Sequence, residues 1–260
     1  MKNVLAAISI ITLCSCVSTN NIPIPSGPQT LNSVIYKPEG QGPFPTVILM
    51  HGCAGLDKFT SRGLRTHANF LVENGYAALI LDSFSSRKKS GGKVCRSKTE
   101  LANAMYYRRL DSFNALKHLQ SLPYVDKNNL FLMGQSNGGA VALRAADADQ
   151  YPNDAGISKF NAIVAFYPWC GALPRKLGTP LLILGGAKDN WTPIGRCLFA
   201  AENSDLGKEA FKVISYENAH HSFNLFIPTQ TYLGYTLGGN SKARKDSKKQ
   251  MLEWFQRFRI

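Results

Sequence analysis

The sequence predicts an α/β fold: a mainly parallel, doubly wound sheet flanked by helices, with no large cap domain. Three observations predict it. Short continuous apolar runs alternate along the chain with longer segments of helical period. The motifs that carry chemistry fall directly after those runs, where loops at the carboxyl ends of parallel strands hold functional groups. The 260 residues are 44% apolar and 18% charged without a repeat at any fixed spacing. That composition fills a core and excludes a disordered tail, a coiled coil, a collagen-like chain or a solenoid.

The elements follow in order. Residues 30–36 read as an edge strand. Residues 45–50 (PTVILM) form a continuous apolar run, as a strand covered on both faces requires. Residues 61–74 read as a helix ended by Asn74-Gly75. Residues 77–81 (AALIL) are a second buried strand. Tyr106, Leu110, Phe113 and Leu116 recur at helical spacing within residues 100–122, and Pro123 closes that helix. A third strand at 130–133 runs into a Gly-rich turn and a helix from 138 to about 146. Further strands fall at 160–166, 181–184 and 211–216. Met251, Trp254, Phe255 and Phe258 mark one apolar face of a final helix. No stretch between strands is long enough for a second domain, so residues 30–260 are read as one.

The amino terminus reads as an address. Lys2 precedes a mostly apolar run over residues 4–13, too short for a bilayer span of about 20 residues and matched to a signal-peptide core. The following Leu13-Cys14-Ser15-Cys16 is similar to a bacterial lipobox, with Cys16 as the lipidated residue. A simply cleaved signal is the alternative. Val17 after Cys16 resembles outer-membrane-sorted lipoproteins, so the expectation is an exported, lipid-anchored protein of a bacterial periplasm or outer membrane. Residues 17–29 (VSTNNIPIPSGPQ) are rich in Pro, Ser and Asn and read as a linker.

The net charge of +13 invites a nucleic-acid reading, but it is local. Residues 87–98, from Arg87 to Lys98, hold six positive and no negative residues. Residues 241–250, with Lys242 and Lys249 near their ends, hold five positive and one negative. Such stretches attract an anionic surface. No nucleic-acid-binding signature accompanies them, so no nucleic-acid partner is expected. With Cys14 and Cys16 set aside, four cysteines remain: Cys53, Cys95, Cys170 and Cys197. In an oxidising compartment they form two disulfides, with three possible connectivities.

Residues 132–139 (LMGQSNGG) place G-x-S-x-G between a strand and a helix. A tight turn there needs small neighbours, exposes the Ser136 hydroxyl, and sets it at a helix amino terminus that favours developing negative charge. The serine needs a base. Both His220 and His221 follow the last strand, in the expected order of nucleophile, acid and base, and the residues alone do not choose between them. The base needs an orienting carboxylate. Asp189, after the strand at 181–184, and Asp82, after the strand at 77–81, are the candidates, and chain order favours Asp189.

Tyr216-Glu217-Asn218-Ala219-His220-His221-Ser222-Phe223 resembles the closing Tyr-x-x-Ala-x-His-x-Phe motif of the dienelactone hydrolase family, within the alpha/beta-hydrolase fold. Gly186-Ala187-Lys188-Asp189 with Pro193 is similar to that family's Gly-x-x-Asp-x-x-x-Pro, and His51-Gly52-Cys53-Ala54-Gly55 to its HGxxG oxyanion loop. The resemblance spans about residues 30–260. It implies His221 as base, Asp189 as its partner, and the amides of Cys53 and Asn137 as the oxyanion hole. It gives His51 and the Cys53 side chain structural roles. The namesake enzymes use a cysteine nucleophile whereas this chain has Ser136, so the dienelactone substrate is not carried over.

Features of a subgroup of the family also recur: Asp82-Ser83-Phe84 with a Gly- and Lys-rich loop to Cys95, Tyr167-Pro168-Trp169-Cys170, and Trp191-Thr192-Pro193 up to Cys197. With that resemblance, the carboxyl-end placement of these loops implies the pairs Cys53–Cys95 and Cys170–Cys197. Trp169, Trp191, Phe84 and Phe223 on the same loops are candidates for an apolar pocket, or for simple packing. No metal-ligand spacing and no dinucleotide or phosphate-binding loop is present, so no cofactor is implied.

The expected activity is a serine hydrolase that cleaves a small-molecule carboxylic ester or related acyl bond through an acyl-enzyme. A peptidase on the same fold, a lipase or polyester-type hydrolase, and a catalytically silent envelope lipoprotein that binds an anionic surface or partner are the competing readings. An intact Ser136, Asp189 and His221 argue against the last.

Overall fold

The computed structural model describes residues 17–152, 158–203 and 207–260. Residues 1–16, with Cys14, Cys16 and the lipobox-like sequence, lie outside the described residues.

Eight strands form one sheet: β1 (Val17–Ser26), β2 (Gln29–Pro38), β3 (Phe44–Met50), β4 (Ala77–Asp82), β5 (Val125–Gln135), β6 (Ala162–Phe166), β7 (Leu181–Gly186) and β8 (Phe211–Tyr216). Their spatial order is β1-β2-β4-β3-β5-β6-β7-β8. The first two pairings, β1 with β2 and β2 with β4, are antiparallel, and every later one is parallel. Among the described residues seven α-helices accompany them: α1 (Lys58–Glu73), α2 (Gly91–Arg96), α3 (Lys98–Leu119), α4 (Asn137–Ala145), α5 (Gly195–Glu202), α6 (Gly207–Ala210) and α7 (Ser241–Arg257).

The parallel strands β3, β4, β6 and β7 are buried along nearly their whole length, because helices cover both faces. On one face α1 lays Leu64, Ala68 and Leu71, and α7 lays Met251, Trp254 and Phe255, against Val47, Phe131 and Val164. On the other, Phe113, Leu116 and Leu119 of α3 and Val141 and Leu143 of α4 pack on Ile48, Leu132 and Ile163. Each long helix begins where a side chain accepts a free amide: Asp57 for α1, Ser97 for α3 and Asn240 for α7.

Residues 17–29 are not a linker. Val17–Ser26 pairs residue for residue with Gln29–Pro38, so β1 is the sheet edge and residues 30–36 lie in the second strand, not in the edge. The composition misleads because Pro23 and Pro25 look like breakers. On an edge strand their missing amides cost nothing, since no further strand waits for them. The informative signal is the alternation of buried Ile22, Ile24 and Ser26 with exposed neighbours. Ser26 fastens this hairpin to α3, donating to Asp111 at 2.6 Å and accepting from Asn114 at 3.0 Å.

Two further elements depart from the expectation. The Gly- and Lys-rich segment before Cys95 is a loop only as far as Ser90 and closes in the helix α2. A small hairpin, β9 (Gln230–Tyr232) and β10 (Tyr235–Leu237), turns on Leu233 and Gly234, both at positive φ. Two central residues at positive φ make the tight turn whose twist suits a hairpin. Leucine there is unusual, which hides the turn from a sequence reading.

The disulfides are Cys53–Cys95 and Cys170–Cys197. The second ties the turn after β6 to α5 across 27 residues of sequence. Replacing Cys170 and Cys197 together by alanine is expected to lower stability by about 3 kcal/mol through the freed unfolded chain. Urea unfolding reads the effect, and a midpoint that does not move would show the tether to be idle.

Candidate active site

Ser136 is the single residue between β5 and α4, held at φ 55° and ψ −119°. Side chains rarely adopt such a backbone, and it persists only where the surroundings dictate it. Three glycines supply those surroundings. A Cβ on Gly134 would meet the Gly138 carbonyl at 2.0 Å, one on Gly138 the His51 carbonyl at 2.5 Å, and one on Gly139 the Phe166 carbonyl at 2.8 Å. The spacing G-x-S-x-G-G is thus a packing requirement that leaves the Ser136 hydroxyl half-exposed at the head of α4.

His221 reaches that hydroxyl, with Nε2 3.0 Å from Ser136 Oγ. Its Nδ1 lies 2.8 Å from Asp189 Oδ2. A carboxylate only accepts, so Nδ1 carries the proton and Nε2 is free to accept from the serine. The ring packs against Tyr167 and Trp191 at centroid distances of 4.6 and 5.0 Å. His220 turns away, Nδ1 3.1 Å from the Lys188 carbonyl. The structure therefore brings together Ser136, His221 and Asp189.

Asp189 is buried and fully engaged. Oδ1 accepts the amides of Trp191 at 2.9 Å and Thr192 at 2.8 Å, and Oδ2 faces His221. Burial pushes its carboxyl up, but the hydrogen bond and charge of His221, with the Thr192 and Trp191 amides, outweigh burial and hold it below the ordinary value. Asp82 is elsewhere. It caps the turn after β4 by accepting the Phe84 and Ser85 amides at 2.9 and 3.1 Å.

Sequence reading passed over Thr192. Its Oγ1 sits 3.0 Å from both Asp189 Oδ2 and the Tyr167 carbonyl, and 3.1 Å from His221 Nδ1. The available signal was Asp189 followed by amides two and three residues on, the turn that aspartate side chains nucleate. A buried polar network below the site was also missed. Asn224 accepts from the Tyr167 hydroxyl at 2.6 Å and donates toward Gln135 at 3.1 Å and His67 Nε2 at 3.0 Å. It fastens the residue before Ser136 to the loop that carries His221.

The loop after β3 closes over the serine from the other side. A Cβ on Gly52 would sit 3.3 Å from Ser136 Cβ, so a larger residue here would press the loop and the serine apart by a few tenths of an ångström. His51 is buried, and Nδ1 donates to the Gly52 carbonyl at 2.7 Å. Burial, reinforced by the Arg108 charge, lowers its pKa to about 3, so it is neutral at physiological pH. The Cys53 sulfur is bonded to Cys95 in α2 and is no nucleophile. Asn137, the first residue of α4, has an amide that no carbonyl of its own helix faces.

These elements surround a cleft of about 420 Å³ lined by Cys53, Phe59, Ser136, Trp191, His221 and Tyr232, among others. Of the candidate pocket aromatics only Trp191 lines it, stacked on Tyr235 of β10 at 5.0 Å. Trp169 is exposed, while Phe84 and Phe223 are buried in packing. Among the described residues no Lys or Arg lines the cleft. Among the described residues no group of three or more His, Cys, Asp or Glu gathers as a metal would need, and no helix is long and apolar enough to cross a membrane.

The sequence profile of the dienelactone hydrolase family matches residues 31–259. Among curated proteins, esterase FrsA of Enterobacter sp. (strain 638) is 31% identical over 124 residues, 48% of this chain and 27% of that protein. Esterase FrsA of Klebsiella pneumoniae subsp. pneumoniae is 28% identical over 125 residues, 46% and 26% of the respective chains. The chain thus spans about a quarter of the length of these relatives. Among solved structures, the dienelactone hydrolase from Anabaena variabilis superposes with a TM-score of 0.69 at 19% identity, covering 94% of this chain and 99% of that one. Esterase 2 from Thermogutta terrifontis, with propionate bound, gives 0.63 at 18% identity, covering 91% and 93%. At such identities the likeness is one of fold.

Proposed function

The chain belongs to the dienelactone hydrolase family, and from that premise we propose that it is a serine hydrolase that cleaves carboxylic esters through an acyl-enzyme on Ser136. The observation that carries this is the unbroken relay from Ser136 Oγ to His221 to Asp189, at 3.0 and 2.8 Å, opening into a cleft. His221 Nε2 takes the serine proton as Oγ attacks the ester carbonyl. Asp189 holds the imidazole in the tautomer this needs and balances the imidazolium that forms. The amides of Cys53 and Asn137 receive the developing oxyanion. His221 then protonates the leaving alcohol, and water, activated by the same base, releases the acid.

The lining favours neutral esters. Phe59, Leu225, Ile227, Tyr232 and Leu237 present apolar surface, and no cation is placed to hold a second carboxylate on the substrate. The testing experiment is fluorophosphonate labelling of the full chain together with turnover of short neutral p-nitrophenyl esters. Labelling and turnover are expected together. A folded protein that does neither would move the assignment to a binding protein.

The chain is further proposed to be exported, anchored through Cys16, and to meet an anionic membrane surface. The two basic stretches contribute unequally. Arg87 is committed to Asp111 at 2.8 Å and Lys89 to Glu100 at 2.7 Å, which leaves Lys88, Lys93, Arg96 and Lys98 exposed. The stretch in α7 is reinforced by α1. Arg244 and Arg62 stack on Phe226 at 4.1 and 4.6 Å, Lys248 lies over Phe70 at 5.0 Å, and Lys242, Lys245 and Arg65 are exposed beside them. Binding of the full chain to vesicles containing anionic phospholipid is expected to weaken as salt rises from about 0.05 to 0.3 M. It should weaken further on replacing Lys242 and Lys245 by glutamate. Binding indifferent to both would remove the electrostatic role.

A further inference from the structure

Arg108, in the middle of α3, is the largest wholly buried side chain among the described residues. An arginine buried to this extent is normally held by a carboxylate, because an unpaired charge in a low-dielectric interior is costly. Here, among the described residues, no carboxylate lies within ion-pair distance of it. The neighbouring Asp111 is taken by Arg87 at 2.8 and 2.9 Å.

The guanidinium is spent instead on two neutral acceptors. Nη1 donates to Asn137 Oδ1 at 2.6 Å, and Nη2 to the His51 carbonyl at 2.5 Å. Its Nε has no partner, and the Phe84 ring lies beside it at 5.1 Å. The Asn137 amide group is fixed from its other end by a 3.2 Å bond to the Leu101 carbonyl. Burial lowers the Arg108 pKa to about 10, so the group remains charged at neutral pH.

The two residues it holds are informative. His51 opens the turn that delivers the Cys53 amide. Asn137 delivers the other amide and directly follows Ser136. These two walls come from separate elements, the end of β3 and the start of α4, and meet only at the site. A fork with two donors in fixed geometry can span them, whereas a point charge cannot.

We infer that Arg108 is a positioning residue for the oxyanion hole: its guanidinium ties the His51–Cys53 turn to the head of α4 and sets a positive charge behind the two amides. This rests on the reading of Ser136 as nucleophile. The amides then need no reorganisation when charge develops on the substrate oxygen, which is how such donors gain their effect. The charges of Asp111 and Asp82 act on Arg108 only from beyond ion-pair distance, so the field directed at the oxyanion is reduced and not cancelled.

The test compares wild type, Arg108→Met, Arg108→Lys and Asn137→Ala on a neutral p-nitrophenyl ester, with thermal melts to establish folding. Arg108→Met is expected to lower kcat by about 10²–10³-fold, the size of losing an oxyanion donor, with KM within threefold. Affinity for a tetrahedral boronic acid should fall in parallel with kcat. Arg108→Lys should recover part of kcat, because charge returns without the second arm. Asn137→Ala, which keeps its backbone amide, should lie between wild type and Arg108→Met. If Arg108→Met does not fold, the lysine and alanine variants carry the same comparison. A folded Arg108→Met with kcat within threefold of wild type would overturn the inference. So would a fall in kcat that leaves boronic-acid affinity untouched, or an Arg108→Lys or Asn137→Ala that folds and matches wild type in both. Absence of wild-type turnover and labelling would instead overturn the hydrolase reading itself.

Discussion

Ser136→Ala is expected to abolish fluorophosphonate labelling and to lower kcat by about 10⁵–10⁶-fold while leaving the fold intact. The size follows from the non-additivity of groups that act as one unit: once the attacking oxygen is gone, His221 and Asp189 have nothing to activate. His221→Ala should fall in the same range. Asp189→Asn should cost about 10⁴-fold, since the amide leaves the imidazole in the wrong tautomer. Glycine at the same position separates catalysis from stability. Ser136 is held at φ 55°, which costs a residue with a Cβ about 1 kcal/mol and glycine almost nothing. Ser136→Gly should thus be as inactive as the alanine variant yet unfold at higher urea. Retention of more than a few per cent of wild-type kcat in Ser136→Ala would remove Ser136 as the nucleophile.

Mild acid is expected to destabilise the protein well before its carboxylates titrate. His51 and His67 are both buried. Burial, with the charge of Arg108 in one case and Lys248 in the other, lowers each pKa from 6.5 to about 3. The unfolded chain takes up protons at these positions near pH 6.5 and the folded chain does not. Stability from the neutral rings is therefore complete above about pH 6.5 and is lost as pH falls toward 3. At pH 5 each histidine contributes a loss of about 2 kcal/mol, roughly 4 together, a large share of a typical stability of about 5–15 kcal/mol. The depressed carboxyl of Asp189 acts in the same direction but only below about pH 4, where the unfolded carboxylate begins to protonate. Urea midpoints between pH 5 and 8 check this. His67→Gln should remove about half of the pH dependence, because its acceptor role toward Asn224 survives and its titration does not. A stability that is flat across that range would refute the account.

What the sequence made legible was whatever steric necessity writes into residue type. Gly134, Gly138 and Gly139 are glycines because carbonyls occupy the space of their side chains, so the turn around Ser136 was readable. The parallel strands were readable because burial on both faces leaves continuous apolar runs. The choice of His221 over His220 was not contained in the residues themselves, since adjacent histidines differ only in the direction the loop gives them. The family resemblance supplied it, and the coordinates place His221 on the serine. Arg108 is hidden for a related reason, since it acts on residues 57 and 29 positions away. Thr192 carries a local signal in the Asp189 turn, but its reach to Tyr167 and His221 is legible only in the fold. The strand β1 was misread because proline, serine and asparagine content was weighed above the alternation of Ile22, Ile24 and Ser26.

That strand bears on how the enzyme would meet its substrates. Val17 is already paired with Pro38 in the sheet edge, and Cys16 is the residue before it. A lipid on Cys16 would leave no slack between anchor and domain. A flexible leash lets a tethered enzyme sweep a volume that grows with its length; here the swept volume would collapse to a layer against the bilayer. The cleft would patrol a surface, and its encounters would depend on lateral diffusion and on which side of the domain faces down. Esters partitioned into or held at that surface would be met in two dimensions, and those free in the surrounding fluid only as they pass.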